Sequence, residues 1–338
     1  MSTLKDIAAR LGLSVATVSR VLNRDKRFSV AEQTRENIFR TAEELGYVRA
    51  AKDEKKTTPS FGLVTWYNER EELLDPYYLT IRLGVEKTAF ARNIRLNRFF
   101  RKNGRFQFDS SSLDGIIAIG KFNEEELAGF SDITTNIVCV DDAPNDRRYD
   151  SVVTDFEKAV CEVLDYLYQA GHRRIGYIGG RDFTVNNELF QQDFRELAYI
   201  HYMKRKGQYR LSDLYLGRYT PDDGYALAKA MLERKKLPTA VFIANDSLAI
   251  GVMRALYEHG VSVPEDISLA GFNDNESSRY LIPSLTTVKV HAEFMGQEAV
   301  SLLLERMESG RPIAKRVVLP TELVIRESSR SVNLASKG

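Results

Sequence analysis

Ala16, Thr17, Ser19, Arg20 and Asn23 are small or hydrogen-bonding side chains set at helical spacing against the apolar Val15, Val18, Val21 and Leu22. A helix carrying them buries one face and lets its backbone approach closely whatever the other face meets. Arg20 adds a planar fork of donors that matches the acceptor pair of a guanine, so this face suits base edges in a DNA major groove. A second group has different chemistry. Asn245, Asp246, Asn273 and Asp274 follow short apolar runs, Arg195 stands on a helix after another, and Trp66, Tyr67, Tyr77, Tyr78 and Tyr219 supply flat apolar surfaces. Amides, carboxylates and a guanidinium beside aromatic rings could bind the hydroxyls and faces of a sugar, or a base. Duller roles fit the same residues: Asn245, Asp246 and Asp274 as helix caps, Arg195 in an ion pair between subdomains, and at least one of Tyr77 and Tyr78 as core after Pro76.

Groups for catalysis or metal binding are missing from the pattern. None of the four histidines (His172, His201, His259, His291) sits in a zincin motif, and there is neither a Gly-x-Ser-x-Gly elbow nor a phosphate-cradling Gly-x-x-x-x-Gly-Lys loop. Cys139 and Cys161 are isolated and read as two unpaired thiols in a reducing compartment. No cofactor and no metal are implied, and an enzyme bearing a DNA-binding headpiece is the lesser alternative class.

The elements that position the first group are short helices with local stop and start signals. Thr3 with Asp6 forms a capping box for a helix carrying Leu4, Ile7, Ala8 and Leu11; Gly12 ends it, and Ser14 caps the next after a tight turn. Two helices joined this tightly make a helix-turn-helix. Ser29 with Glu32 is a second capping-box signature opening a third helix, whose Ile38, Ala42 and Leu45 can cover the first two before Gly46 stops it. Residues 1–56 hold twelve Lys+Arg against eight Asp+Glu, net +4, leaving −3 for the remainder of a chain whose total is +1. The basic excess therefore lies where phosphates would be met.

Beyond Tyr47 the composition turns charged and then short and polar, which is linker chemistry over residues 48–60. From residue 61, apolar runs at 61–67, 115–119, 136–140, 175–178, 240–244 and 267–271 read as strands buried on both faces. They alternate with helices at 77–91, 156–170, 188–206, 224–234, 247–259 and 293–308, an order that implies βαβ units. Ligands of such sheets sit beyond the carboxyl ends of strands, which points to the residues after Tyr67, Gly180, Ala244 and Gly271. Arg92 to Arg105 is an arginine-rich stretch with Phe99 and Phe100, either a nucleic-acid contact or a solvated strand or loop. At 338 residues and 43% hydrophobic content the chain can bury a large core. The amino terminus runs directly into a capped helix, and no apolar stretch approaches the ~18 residues a membrane span needs, so a soluble, cytoplasmic protein is expected.

Thr3-Leu-Lys-Asp-Ile-Ala8, Val18-Ser-Arg-Val-Leu-Asn23 and Leu45-Gly-Tyr47 resemble the headpiece of the LacI/GalR family of bacterial repressors. The likeness continues in Ala170-Gly-His-Arg-Arg-Ile-Gly-Tyr-Ile-Gly-Gly180, Pro238-Thr-Ala-Val-Phe-Ile-Ala-Asn-Asp246 and Ile282-Pro-Ser-Leu-Thr-Thr-Val288. Asp75-Pro-Tyr-Tyr-Leu-Thr-Ile-Arg-Leu-Gly-Val-Glu86 is most similar to repressors of β-galactosidase operons. The resemblance implies an all-α helix-turn-helix headpiece (1–47), a hinge (48–60), an α/β effector and dimerisation domain like a periplasmic binding protein (61–328), and a flexible tail (329–338). It implies two doubly wound parallel-sheet subdomains, joined by three chain crossings around a ligand cleft.

By the same resemblance, Thr3, Leu4, Ser14, Val15, Ala16, Thr17, Ser19, Arg20, Asn23 and Tyr47 contact DNA. Trp66, Tyr77, Tyr78, Asp155, Arg195, Tyr219, Asn245, Asp246, Asn273 and Asp274 form the effector set. Arg195 matches the family's effector-binding arginine, Tyr219 the stacking aromatic and Asp155 a cleft aspartate, while Asn273 replaces an aspartate. The stretch before Asp114 is shorter than the family pattern, which implies a truncated helix. The hinge lacks the leucine that many relatives wedge into the minor groove, leaving Lys52, Lys55 and Lys56 for phosphate contacts. The partners implied are a pseudo-palindromic operator, a galactoside or, alternatively, a purine or nucleoside, and a second copy of the chain. The tail lacks a leucine-heptad helix, which favours a dimer over a tetramer.

Overall fold

The computed structural model describes residues 3–22, 28–47, 58–102, 105–108, 112–183 and 189–332, and the chain divides into two compact units, Met1–Thr57 and Thr58–Gly338. In the first unit, α1 (Leu4–Leu11), α2 (Val15–Leu22) and α3 (Glu32–Glu44) enclose a core of Ile7, Ala8, Val18, Val21, Ile38 and Ala42. The caps act as the sequence predicts at two of the three helix starts. The Thr3 hydroxyl accepts the Asp6 N–H while Asp6 takes the Thr3 N–H at 2.7 Å, and Gly12 closes α1 in the left-handed region at φ +63°. Ser14 Oγ accepts the Thr17 N–H at 3.1 Å. The Ser29–Glu32 box is corrected: α3 begins at Glu32 itself after Ala31 with no side-chain cap, which puts Ser29 beyond reach of the first turn.

The second unit runs β1 (Ser60–Thr65), α4 (Glu69–Leu74), α5 (Pro76–Ala91), β2 (Arg95–Lys102), β3 (Arg105–Phe106), β4 (Gly115–Ile119), α6 (Glu124–Ser131), β5 (Ile137–Val140) and β6 (Asp150–Thr154). It continues through α7 (Phe156–Gln169), β7 (Ile175–Gly180), β8 (Asp182–Phe183), β9 (Leu189–Gln191), α8 (Phe194–Arg205), β10 (Leu214–Gly217), α9 (Pro221–Leu232), β11 (Ala240–Ile243), α10 (Asp246–Glu258), β12 (Ser268–Asn273) and β13 (Thr286–Lys289). It closes with α11 (Ala292–Ser309), β14 (Arg316–Leu319) and β15 (Glu322–Val324). Among the described residues two large sheets result, ordered β14-β6-β5-β4-β1-β2-β3 and β10-β7-β11-β12-β13-β15, parallel apart from the β2–β3 and β13–β15 pairs, with β8 and β9 forming a separate antiparallel pair. Their central strands are buried along almost their whole length, as their unalternating apolar sequences require.

The chain crosses between the sheets from β6 into α7, from β13 into α11 and from β14 into β15. In the first subdomain α11 packs on α5 so closely that a Cβ at Gly296 would enter the Ile81 carbonyl oxygen. Instead of the truncated helix expected before Asp114, the described residues form β2 and β3, and two of the arginines are partnered: Arg101 pairs with Glu126 and lies over Phe106, and Arg98 reaches Glu86. Residues 329–332, expected to belong to a flexible tail, are instead ordered by contacts with the second unit. Ser329 Oγ bonds Thr286 and Tyr166, and the Val332 N–H reaches the Ala170 carbonyl at 2.7 Å, so residues 329–332 are docked on the sheet. Cys139 and Cys161 are unpaired. No described helix is long and apolar enough to cross a membrane. The hinge residues 48–57, with Lys52, Lys55 and Lys56, lie outside the described residues, as do Asn23 and residues 333–338.

Candidate functional site

In the first unit the buried valines of α2 turn the rest of the helix outward. Val15, Ala16 and Arg20 are exposed, while Thr17 and Ser19 are half-buried at the edges of that face. The Arg20 guanidinium lies over the Phe28 ring, 5.1 Å from its centroid, which restrains a long side chain before any partner arrives. Thr3 and Ser14 cap α1 and α2, so a DNA contact from either would be additional to that work. Leu4 and Tyr47 pack partly against the core.

In the second unit the carboxyl ends of both sheets face a cleft, the place where open α/β sheets hold ligands. From the first subdomain come Tyr67, Asp75, Tyr77, Tyr78, Lys121 and Asp141; from the second, Asp193, Phe194, Arg195, Tyr219 and Asn273, with Phe156 at the first crossing. The geometry is built on paired charges. Arg195 Nε and Nη2 donate to Asp193 at 2.9 and 2.7 Å, Nη1 donates to the Ala244 carbonyl at 2.7 Å, and Tyr219 Oη donates to Asp193 at 2.5 Å. The rings of Tyr219, Phe156 and Phe272 surround the guanidinium at 5.1 to 5.6 Å. Burial alone would raise the Asp193 carboxyl, but the Arg195 charge, its hydrogen bonds and Lys121 outweigh it and hold the group well below the usual carboxylate range.

The opposing wall is held as firmly. Tyr77 and Tyr78 donate to the two oxygens of Asp141 at 2.6 and 2.8 Å, and Asp141 has φ +77°, a strained backbone that the paired tyrosines help to maintain. Burial, followed by Asp141, keeps the Tyr77 phenol protonated. Trp66, Tyr67 and Tyr78 cluster with centroids 4.7 to 6.5 Å apart. Asp75 caps α5 and receives Asn245 Nδ2 at 2.8 Å and Ser247 Oγ at 3.3 Å across the cleft, so it joins the two subdomains; burial raises its carboxyl. The Tyr219 ring lies on Gly180, where any Cβ would collide with it. The space left is about 30 Å³, room for a water or two.

Of the effector residues expected from the sequence, Tyr77, Tyr78, Arg195, Tyr219 and Asn273 line this cleft, and Trp66 backs it. Four have other placements. Asn245 is the N-cap of α10, accepting the Leu248 N–H at 2.9 Å, and it holds Asp75. Asp246 is fully buried beneath the cleft: it accepts Thr287 Oγ1 at 2.7 Å and the Asn275 N–H at 2.8 Å, so it braces the turn in which Asn273 and Asp274 take φ +108° and +55°. Burial raises its carboxyl to about 7. Asp274 pairs with Arg326 at 2.7 Å. Asp155 caps α7 through Lys158 N–H and faces a neighbouring cavity, while Asp141, one strand earlier, is the aspartate inside the cleft. Asp75, Lys121, Asp141 and Asp193 were not singled out. The strand-end rule reaches Lys121 and Asp141, which follow β4 and β5; Asp193 had only its neighbour Arg195 to mark it.

A family model described as "Bacterial regulatory proteins, lacI family" matches residues 3–50, and one described as "Periplasmic binding protein-like domain" matches 164–329. Among curated relatives, the HTH-type transcriptional repressor MelR of Bacillus subtilis (strain 168) is 36% identical over 340 residues, 97% of each chain. The HTH-type transcriptional regulator GalR of Streptococcus thermophilus is 36% identical over 333 residues, covering 98% of this chain and all of that one. A solved complex of the transcriptional regulator CelR with cellobiose superposes with a TM-score of 0.70 at 26% identity, over 97% of this chain and all of its own. A helix-turn-helix unit with a polar face on its second helix, carried with a binding-protein-like unit whose cleft is lined by paired charges, places this chain in the LacI family of DNA-binding transcriptional regulators rather than among enzymes.

Proposed function

We propose that this chain is a cytoplasmic repressor of a sugar-utilisation operon, binding a pseudo-palindromic operator as a homodimer and controlled by a small galactoside in the cleft of its second unit. The observation that carries the effector reading is the cleft itself. Arg195 and Asp193, Asp141 and Asn273 offer directional donors and acceptors for hydroxyls, and the Trp66, Tyr67 and Tyr219 rings offer apolar surfaces for a pyranose face. The nearly filled cleft adds a mechanism. A sugar enters only if the Asp75–Asn245 contact and the Lys121–Asp193 approach of 3.9 Å give way, so effector and closed cleft compete for the same groups. An effector that binds one arrangement better than another shifts their populations, and the operator affinity follows.

The test uses the full chain and an operator recovered by selection from random duplexes. Fluorescence anisotropy of the labelled operator is followed while galactose, lactose, melibiose, glucose, cellobiose and adenine are added. The reading expects a shift in operator affinity with galactosides. A response to adenine alone, or to no sugar, overturns it. Sedimentation equilibrium tests the dimer, a monomer at working concentration being the contrary result.

A further inference from the structure

The second subdomain has a strongly charged end opposite the cleft. Residues 168–174, 204–213 and 233–239 lead from α7 to β7, α8 to β10 and α9 to β11, so they meet at the amino ends of three neighbouring parallel strands. Together they hold nine Lys+Arg against two Asp+Glu, net +7, in a unit whose total is −3. Contacts join these links into one surface. Arg173 lies 3.9 Å over the Tyr168 ring, Lys206 lies over the same ring at 4.6 Å and over Tyr202 at 5.2 Å, and Arg205 lies 5.5 Å from Tyr202. Arg174 donates to the Lys236 carbonyl at 2.9 Å, which brings the third link beside the first.

Local structure does not use up this charge. Three helices end here, and cations suit helix C-termini, but each end presents only about half a negative charge. Among the cations, Arg174 is taken by Asp213 at 2.6 Å and Lys206 approaches Asp165 at 3.9 Å. Arg173, Lys204, Arg205, Arg210, Lys235 and Lys236 are exposed and pair with no carboxylate among the described residues. Glu265 and Asp266, before the next strand β12, mark the limit of the surface.

The kind of partner follows from what the surface lacks. A protein interface centres on buried apolar anchors, whereas Leu211 is the one large apolar side chain described as exposed on these links. Tyr202 is buried, and cations lie over the Tyr168 and Tyr202 rings. A phosphate backbone needs no such anchor: it is held by clustered positive charge and outward N–H donors. The rings also restrain Arg173, Arg205 and Lys206, which lowers the entropy lost when they engage.

We propose that this end of the second subdomain is a second DNA-binding surface, gripping the phosphate backbone of a duplex without regard to sequence. A chain whose headpiece holds an operator can then hold another stretch of duplex at the same time. The inference is independent of the sugar reading.

The test loads the full chain to saturation on a surface-bound operator, then passes over it a random duplex of about 20 base pairs at about 50 mM salt, with bound mass as the readout. The unmodified chain should gain the second duplex with a Kd of about 1–100 μM, and that affinity should fall steeply with salt. Lys204→Gln, Arg205→Gln and Lys235→Gln combined should weaken the second duplex about ten-fold or more. Losing up to three phosphate contacts should also make the slope of log affinity against log salt shallower by about 2–3. Operator affinity and far-UV circular dichroism of that variant should be unchanged, and Lys204→Arg, Arg205→Lys and Lys235→Arg combined should bind the second duplex like the unmodified chain. A second duplex that adds no mass, or that only strips the chain from the operator, overturns the proposal. So does a neutralised variant that binds the duplex as well as the unmodified chain. Polyglutamate bound as tightly as duplex also overturns it, the surface then being a dock for acidic protein.

Discussion

Replacing Arg195 by alanine should destabilise the second unit by about 3–5 kcal/mol, because it strips a buried carboxylate of its partner. The side chains of Arg195 and Asp193 are 13% and 6% exposed, so little solvent screens the loss. The guanidinium supplies two hydrogen bonds to Asp193, one to the Ala244 carbonyl and contacts with three rings. What remains for Asp193 is Tyr219 Oη, the Arg195 backbone N–H at 2.8 Å and Lys121 at 3.9 Å. In the wild type the depressed Asp193 carboxyl contributes stability that is present above the ordinary carboxylate range and lost only as pH falls below it. In the variant, burial without Arg195 pushes the same group up, so it takes a proton on mild acidification and the deficit should shrink as pH falls from 7 towards 4. Asp193→Asn in the Arg195→Ala background keeps the α8 cap and removes the unpaired charge, and it should recover about 2 kcal/mol. Urea unfolding followed by the single tryptophan, Trp66 on the cleft wall, and by circular dichroism measures each value. A loss below about 1 kcal/mol, or a deficit that does not depend on pH, refutes the reasoning. At temperatures where the variant is folded, operator affinity should be spared and the sugar response lost.

Arg20→Ala should cost about 1–3 kcal/mol of discrimination between operator and random DNA in competition gel shifts, and equal loss on both would remove Arg20 from base reading. Asp246, raised to about 7 against an unfolded value near 3.8, binds its proton more tightly when folded. Its contribution therefore falls as pH rises from 4 to 7, by on the order of 4 kcal/mol at most. Asp246→Asn should flatten that slope in urea titrations, and an unchanged slope counts against the assignment. Gly296→Ala must push α11 off the Ile81 carbonyl and should cost about 1–3 kcal/mol, read as a lower Tm; an unchanged Tm would show that the two helices separate freely.

What the chain reveals before folding is local chemistry. Thr3, Gly12 and Ser14 bound α1 and α2 because a cap acts within a few residues of itself, and β4, β5, β7 and β11 are legible because burial on both faces leaves an unbroken apolar run. Arg195, Tyr219 and Asn273 could be named from their places beside strands and from family resemblance. The strands β14 and β15 were not legible: they are short, half-exposed and stabilised by pairing with β6 and β13, which lie far back in the chain. The same limit separates Asp141 from Asp155 and Asp246. All three are aspartates at strand or helix ends, yet one lies between two tyrosines in the cleft, one caps a helix beside the next cavity, and one is sealed beneath a strained turn. Residue type and spacing determine that a carboxylate can accept hydrogen bonds. Which donors it meets, and whether water reaches it, depends on elements brought together across long separations, and that only the tertiary structure decides.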